Sequence, residues 1–147
     1  MDLILEAGTV VDEKFEVIEL LGSGGMGQVF KARQIGLGRI VALKLLHADT
    51  LDSADSWARF DREAQTLAML THANIATFYA FGIWQEKLPY IAMEYLEGIS
   101  LADLLIRDGK LNWSRTLKLC AQICEAMEHA HKAGVIHRDL KPANIII

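Results

Sequence analysis

The stretch LGSGGMGQVFKAR, Leu21 to Arg33, decides between two folds for this sequence. Gly22, Gly24 and Gly27 follow the spacing G-x-G-x-x-G, and glycine lets a backbone turn tightly and bring its N–H groups close to a phosphate. A helix after the last glycine would predict a dinucleotide-binding unit, with Asp49 as its acidic residue. The residues that follow Gly27 therefore decide the fold.

Those residues alternate as a strand does. Val29 and Phe30 favour a strand, and Gly36 and Gly38 stand where the interior of a helix would be, each about 1 kcal/mol less favourable than Ala. The dinucleotide-binding interpretation is therefore rejected, and the loop is expected to cover a phosphate from between two strands. The two predicted strands are Phe15–Leu21 and Gln28–Arg33.

Hydrophobic periodicity divides the rest of the chain into a strand-rich part and a helical part, which predicts the α+β class. Three more strands are predicted at Arg39–Leu46, Ile75–Gly82 and Pro89–Tyr95, with a turn around Gln85 to Lys87. Three helices are predicted: Ser56–Leu70, a short one capped by Ser100 and ended by Gly109, and Ser114–Lys132. The composition changes near Leu96 to Ser100, which is the candidate boundary between the two parts.

Composition indicates a globular chain with no broad basic surface. The 147 residues are 52% hydrophobic and 23% charged, with a net charge of -4, and a chain of this length can bury roughly 70% of its unfolded surface. The negative charge argues against nucleic acid and anionic lipid as partners. The start lacks the basic region of a secretory signal, and no apolar run approaches the roughly 20 residues of a spanning helix. We therefore expect no membrane segment here and a cytoplasmic location.

The long helix Ser114–Lys132 carries an apolar stripe that needs a partner layer. Cys120 and Cys124 belong to this stripe and are read as reduced cysteines that would be packed in a core. Little sequence remains to cover the stripe, so we expect it to be exposed in these 147 residues. Its members are Leu117, Cys120, Ile123, Cys124, Met127, Ala130 and His131, and the first five are those expected to be exposed.

Lys44 stands in the otherwise apolar strand RIVALKLL. A lysine alone on a strand faces solvent by default. A glycine loop with Val29 two residues behind it, followed by V-A-L-K, is instead the arrangement in which the lysine holds nucleotide phosphates. With HRDLKPAN at residues 137–144, the chain resembles a protein kinase of the bacterial serine/threonine type.

This resemblance implies a protein kinase-like fold over residues 8–147. It implies a five-stranded antiparallel N-terminal lobe with one main helix, residues 8–96, and the first helices of a helical lobe, residues 97–147. The family's D-F-G aspartate, activation loop and A-P-E segment do not follow in the sequence, so we expect an incomplete, truncated catalytic domain. A catalytically inactive nucleotide-binding or protein-interaction fragment stays open as the alternative.

The resemblance implies ATP and Mg²⁺ as cofactors. Lys44 would contact the phosphates, paired with Glu63 of the first helix, and Met93 would be the gatekeeper beside the base. Backbone groups of Glu94 and Leu96 would meet the base, between apolar contacts from Val29, Ala42 and Ile146. The full implied set is Leu21, Gly22, Ser23, Gly24, Gly25, Met26, Gly27, Gln28, Val29, Ala42, Lys44, Met93, Glu94, Leu96 and Ile146.

The motif HRDLKPAN implies the catalytic residues. Asp139 resembles the residue that accepts the proton of the substrate hydroxyl, and Asn144 resembles a magnesium ligand. Lys141 resembles the lysine of serine/threonine kinases, so the implied partner is a protein with a serine or threonine acceptor. The oligomeric state has no signal in the sequence.

Overall fold

The computed structural model describes residues 5–25, 27–47 and 53–147, which form two compact units. The sheet unit contains the described residues up to Met69 together with Thr77–Tyr95. The helical unit contains Leu70–Ala76 and Leu96–Ile147. Two residues named above, Met26 and Asp49, lie outside the described residues.

The described residues of the sheet unit form one antiparallel sheet of six strands, in the spatial order β1-β2-β3-β4-β6-β5. Five strands were expected and the structure has six, because the short β1 pairs with the start of β2. Two residues are too few to show an alternating pattern, although Val11 is fully buried. The strands are β1 Val10–Val11, β2 Phe15–Gly24, β3 Gly27–Gln34, β4 Ile40–Leu46, β5 Phe78–Trp84 and β6 Leu88–Glu94.

The glycine stretch is part of a hairpin and not a separate loop. Strand β2 continues through it to Gly24, which pairs with Gly27 at the start of β3. Because a strand follows the last glycine, the helix that a dinucleotide-binding unit requires is absent here, as the sequence predicted.

Strand β5 begins three residues later than predicted. The segment before it forms a turn in which the N–H of Asn74 donates to His72 Nδ1 and the N–H of Ile75 donates to the His72 carbonyl. The predicted turn at the other end of β5 is confirmed, since Gln85 and Glu86 both have positive φ, 52° and 60°.

One face of the sheet is packed into the core. Phe15 and Tyr90 meet edge to face there, with ring centroids 5.7 Å apart. The Tyr90 hydroxyl donates a hydrogen bond of 2.5 Å to the Asp12 carboxylate, which ties the N-terminal segment to β6. The core residues are Val11, Phe15, Val17, Phe30, Ala32, Val41, Leu43, Leu45, Tyr90 and Ala92.

Helix α1, Ala54–Ala68, begins at a reciprocal cap in which Ser53 and Ser56 bond each other's side chains and backbone. Its aromatic residues face the sheet: Phe60 stacks on Trp57 and meets Phe81 of β5 edge to face at 6.1 Å. These contacts attach α1 to the sheet unit.

The helical unit contains α2, Leu101–Asp108, and α3, Trp113–Lys132. Helix α2 is capped by the Ser100 side chain and ended by Gly109, as predicted. Asn112 caps α3 in the same way, through its side-chain oxygen and the N–H of Arg115. Within the described part of the chain no helix is long and apolar enough to cross a membrane.

The exposed stripe of α3 is largely confirmed. Leu117, Cys120 and Cys124 are exposed, whereas Ile123 and Met127 are half-buried. The cysteines are therefore not packed in a core in this structure. Ala130, which was counted in the stripe, is buried together with Ala126.

Candidate active site

Four of the predicted nucleotide-binding residues share the face of the sheet opposite the core. Val29 of β3 lies across from Lys44 of β4, and Ala42 of β4 lies across from Met93 of β6. Directly opposed residues of an antiparallel pair project to the same side. The core residues Val41, Leu43 and Leu45 alternate with them and project to the other side. The register thus groups one lysine with three apolar residues.

The glycine hairpin leads onto this face, and Gly27 fixes where β3 begins. Its φ is 139°, and a side chain there would overlap the carbonyl oxygen of Leu45. By contrast, a Cβ on Gly22, Gly24 or Gly25 would meet nothing within 4 Å. The exposed glycines leave the hairpin backbone accessible, while Gly27 allows close approach to β4.

Gln28 does not join the other predicted residues through its side chain. It is 6% exposed and pairs with Ser23 and Leu45, so its side chain projects toward the core side. A contact of Gln28 with a nucleotide would have to use the backbone. Leu21 and Ser23 are exposed on β2.

Glu63 lies in α1 directly before the buried Ala64 and is itself exposed. The pairing of Glu63 with Lys44 stays a prediction. Glu94, at the end of β6, accepts hydrogen bonds from the N–H and hydroxyl of Thr77, at 2.9 and 3.0 Å. These bonds anchor the strand end that precedes the predicted contact residue Leu96, which is exposed in the helical unit.

Lys31 is a charged residue of the same sheet face that the sequence reasoning did not single out. It lies across from Ala42 and reaches both Glu19 and Tyr95. Its position two residues after Val29 was the available signal, because residues i and i+2 of a strand share a face.

The predicted catalytic residues meet within one loop of the helical unit. Lys141 Nζ lies 2.9 Å from Asp139 Oδ2, and Asn144 Nδ2 donates to the same oxygen at 3.0 Å and to the Asp139 carbonyl at 2.8 Å. A single 3₁₀ turn, Pro142–Asn144, brings Asn144 back toward Asp139. The sequence spacing and the geometry therefore agree.

Asp139 and the residue before it each show one unusual property. The hydrogen bond from Lys141, followed by that from Asn144, lowers the pKa of Asp139 below its ordinary value. Arg138 has a φ of 60°, an uncommon conformation for a non-glycine residue that carries a cost of about 1–3 kcal/mol. The uncommon backbone conformation thus lies directly before Asp139.

Ile146, the second residue after the loop, forms an antiparallel bridge with Ser100, and Ile147 exchanges two backbone hydrogen bonds with Ile99. A side chain on Gly98 would overlap the Ile147 carbonyl oxygen. This close approach explains why the isoleucines directly after the loop need a glycine opposite them.

The residues of the loop fit a magnesium ion with few protein ligands. The Asn144 amide donates both of its hydrogen bonds to Asp139 through its nitrogen, which leaves its carbonyl oxygen as an acceptor for a hard cation. Among residues 5–25, 27–47 and 53–147 no group of three or more His, Cys, Asp or Glu could hold a metal. Mg²⁺ is usually bound by one or two side chains together with substrate phosphates and water, so Asn144 as a ligand stays a prediction.

The sequence profile described as protein kinase domain matches residues 15–147. The chain belongs to the protein kinase family. It is 42% identical over 140 residues to the serine/threonine-protein kinase pkn3 of Myxococcus xanthus, which covers 95% of this chain. It is 41% identical, over 93% of this chain, to the serine/threonine-protein kinase PknB of Mycolicibacterium smegmatis.

The solved structure of the Mycobacterium tuberculosis PknI kinase domain superposes with a TM-score of 0.86 at 28% identity. It covers 97% of this chain, and this chain covers 58% of that one. The protein kinase-like fold is thereby confirmed. The chain spans about a quarter of the length of the curated relatives, 26% of pkn3 and 22% of PknB.

Proposed function

We propose that this chain supplies the nucleotide-binding strands and the catalytic loop of an ATP-dependent serine/threonine protein kinase. The reaction transfers the γ-phosphoryl group of ATP to a serine or threonine hydroxyl of a protein substrate. The observation that carries the proposal is the grouping of Asp139, Lys141 and Asn144 in one loop, at 2.9 and 3.0 Å, in a chain of this family.

The sheet face has the chemistry that ATP requires. Val29, Ala42 and Met93 offer apolar contacts to a flat base, and Lys44 offers a positive charge to the phosphates. The exposed glycines of the hairpin add backbone N–H groups that suit phosphate oxygens.

The loop has the chemistry that the transfer requires. Asp139 is a carboxylate within bonding distance of Lys141 and Asn144 and would accept the proton of the acceptor hydroxyl, and the Lys141 ammonium offsets negative charge beside it. Asn144 would be a ligand of Mg²⁺, which when bound neutralises charge on the phosphate oxygens. ATP is a cytoplasmic metabolite, so the proposed reaction takes place in the cytoplasm.

The test uses the full-length product of the gene with γ-labelled ATP, Mg²⁺ and a generic basic protein as acceptor. We expect magnesium-dependent labelling of serine and threonine in the acceptor. Binding of ATP without transfer would support the alternative of a non-catalytic nucleotide-binding protein. Labelling found mainly on tyrosine would contradict the assigned substrate class.

A further inference from the structure

Lys31, Ala42 and Met93 form a row of opposed residues across three strands. This row crosses the candidate nucleotide face where the nucleotide base is proposed to bind. The cross-strand partner of Lys31 is Ala42, and the partner of Ala42 on the next strand is Met93. Tyr95 follows Met93 by two residues. A charged side chain thus stands beside the residues proposed to contact the base.

Three chain segments meet at the Lys31 ammonium. Its Nζ lies 3.4 Å from Glu19 Oε1 of β2 and 4.9 Å from the centroid of the Tyr95 ring. First Tyr95 and then Glu19 raise the pKa of Lys31, against the opposing effect of desolvation.

These contacts contribute little to overall stability. Glu19 is 58% exposed, and exposed ion pairs add little to stability because water screens them. A cation–π contact at an exposed site is also weak. Their main effect is on the position of Tyr95, the residue directly after Glu94. Lys31 holds the Tyr95 ring against the hairpin of β2 and β3.

We propose that Glu19, Lys31 and Tyr95 form a clamp that positions the glycine hairpin and the end of β6 around the base of the bound nucleotide. The proposal rests on the proposed function and adds positioning residues to it. Lys31 acts through Tyr95 and Glu19 and does not take part in the transfer. The clamp therefore affects binding of the base and not the rate of the chemical step.

The test compares the unmodified full-length protein with Lys31→Met by titration with adenosine, Mg·ATP and inorganic tripolyphosphate. We expect Kd for adenosine and for ATP to rise about fivefold. The increase is modest because the variant loses one cation–π contact and one ion pair, both of which are weak. Kd for tripolyphosphate should stay within twofold, because the phosphates bind elsewhere. In a transfer assay KM for ATP rises with the same factor while kcat stays within twofold.

Three variants separate a clamp from a general structural effect. Lys31→Arg keeps the positive charge, and a guanidinium also interacts favourably with an aromatic face, so Kd should stay within twofold of that of the unmodified protein. Lys132→Met is the matched control, because Lys132 also forms one ion pair, at 2.7 Å with Glu128, but on α3. Tyr95→Leu should weaken adenosine binding, and adding Lys31→Met to it should weaken binding no further.

The outcomes distinguish the clamp from the function on which it rests. A change below twofold in adenosine and ATP binding by Lys31→Met, in a protein that binds ATP, overturns the clamp alone. Failure of the unmodified protein to bind ATP overturns both proposals. An equal loss in the Lys132→Met control also overturns the clamp, because the effect would then follow from lost charge alone.

Discussion

The sheet unit and the helical unit place their candidate residues in different ways. In the sheet unit Val29 and Lys44 come from different strands, and the register of β3 against β4 brings them together above a buried core. In the helical unit Asp139, Lys141 and Asn144 come from six consecutive positions and are joined by local bonds. The comparison teaches that the nucleotide face depends on the whole sheet, whereas the loop geometry is local. Substitutions in the loop should therefore change activity with little change in stability. Substitutions in the sheet should change both.

The largest expected effect is in the loop. Asp139→Asn removes the group that accepts the hydroxyl proton, so kcat should fall by roughly 10²–10⁴-fold. Because the carboxylate is half exposed and outside the core, the melting temperature and the Kd for ATP should change little. Steady-state phosphorylation, thermal unfolding and ATP titration measure the three quantities. Turnover at the original rate would remove Asp139 from the mechanism.

The next largest effect is expected at Gly27, where the free energy of unfolding and the candidate nucleotide face depend on the same strand pairing. Gly27→Ala forces a side chain against the Leu45 carbonyl at a φ of 139°, and should lower the free energy of unfolding by roughly 2–5 kcal/mol. Gly25→Ala is the control, because its Cβ would meet nothing within 4 Å, and should change stability by less than about 0.5 kcal/mol. Urea unfolding compares the two. Equal stability of both variants would contradict the register at Gly27.

A smaller effect is expected where the N-terminal segment joins the sheet. Tyr90→Phe removes the hydrogen bond to Asp12 and should lower the free energy of unfolding by about 1–3 kcal/mol. Bonds from Lys14 and then from Tyr90 lower the pKa of Asp12, so its contribution is present above the unfolded pKa and is lost as pH falls through the folded pKa. Tyr90→Phe should therefore lose less stability than the unmodified protein on acidification below about pH 5. Urea unfolding at several pH values measures this difference, and identical acid dependence would contradict it.

The smallest effect is a shift in pH dependence within the loop. Lys141 is the main cause of the lowered pKa of Asp139, so Lys141→Met should raise that pKa toward its ordinary value. Asp139 must be ionised to accept a proton, and the acidic limb of the kcat/KM profile should move to higher pH. Lys132→Met serves as the control and should leave the profile in place. An unmoved acidic limb in Lys141→Met would mean that another group sets it.

Sequence reasoning was most successful where a pattern is local. The eight residues HRDLKPAN predicted the loop, and strand alternation after Gly27 predicted the hairpin in place of a helix. The ends of α2 followed from Ser100 and Gly109, because caps are chosen by backbone chemistry.

Sequence reasoning missed features that depend on distant pairing. The short β1 and the bond between Asp12 and Tyr90, which are 78 residues apart, have no local signature. The group formed by Lys31, Glu19 and Tyr95 joins three segments and was missed for the same reason. The side to which Gln28 points is an exception, because it follows locally from strand alternation with Val29, and the resemblance named Gln28 without using that alternation.

The most direct test of the account asks where the phosphate end of a nucleotide lies on the sheet face. An adenosine derivative with a sulfonyl fluoride in place of the phosphates reacts with a nearby lysine, and mass spectrometry of the labelled full-length protein locates the modification. The account predicts labelling of Lys44, lost when Mg·ATP is added in excess. Labelling spread over other lysines and unaffected by ATP would contradict a nucleotide site on the face formed by Val29, Ala42, Lys44 and Met93.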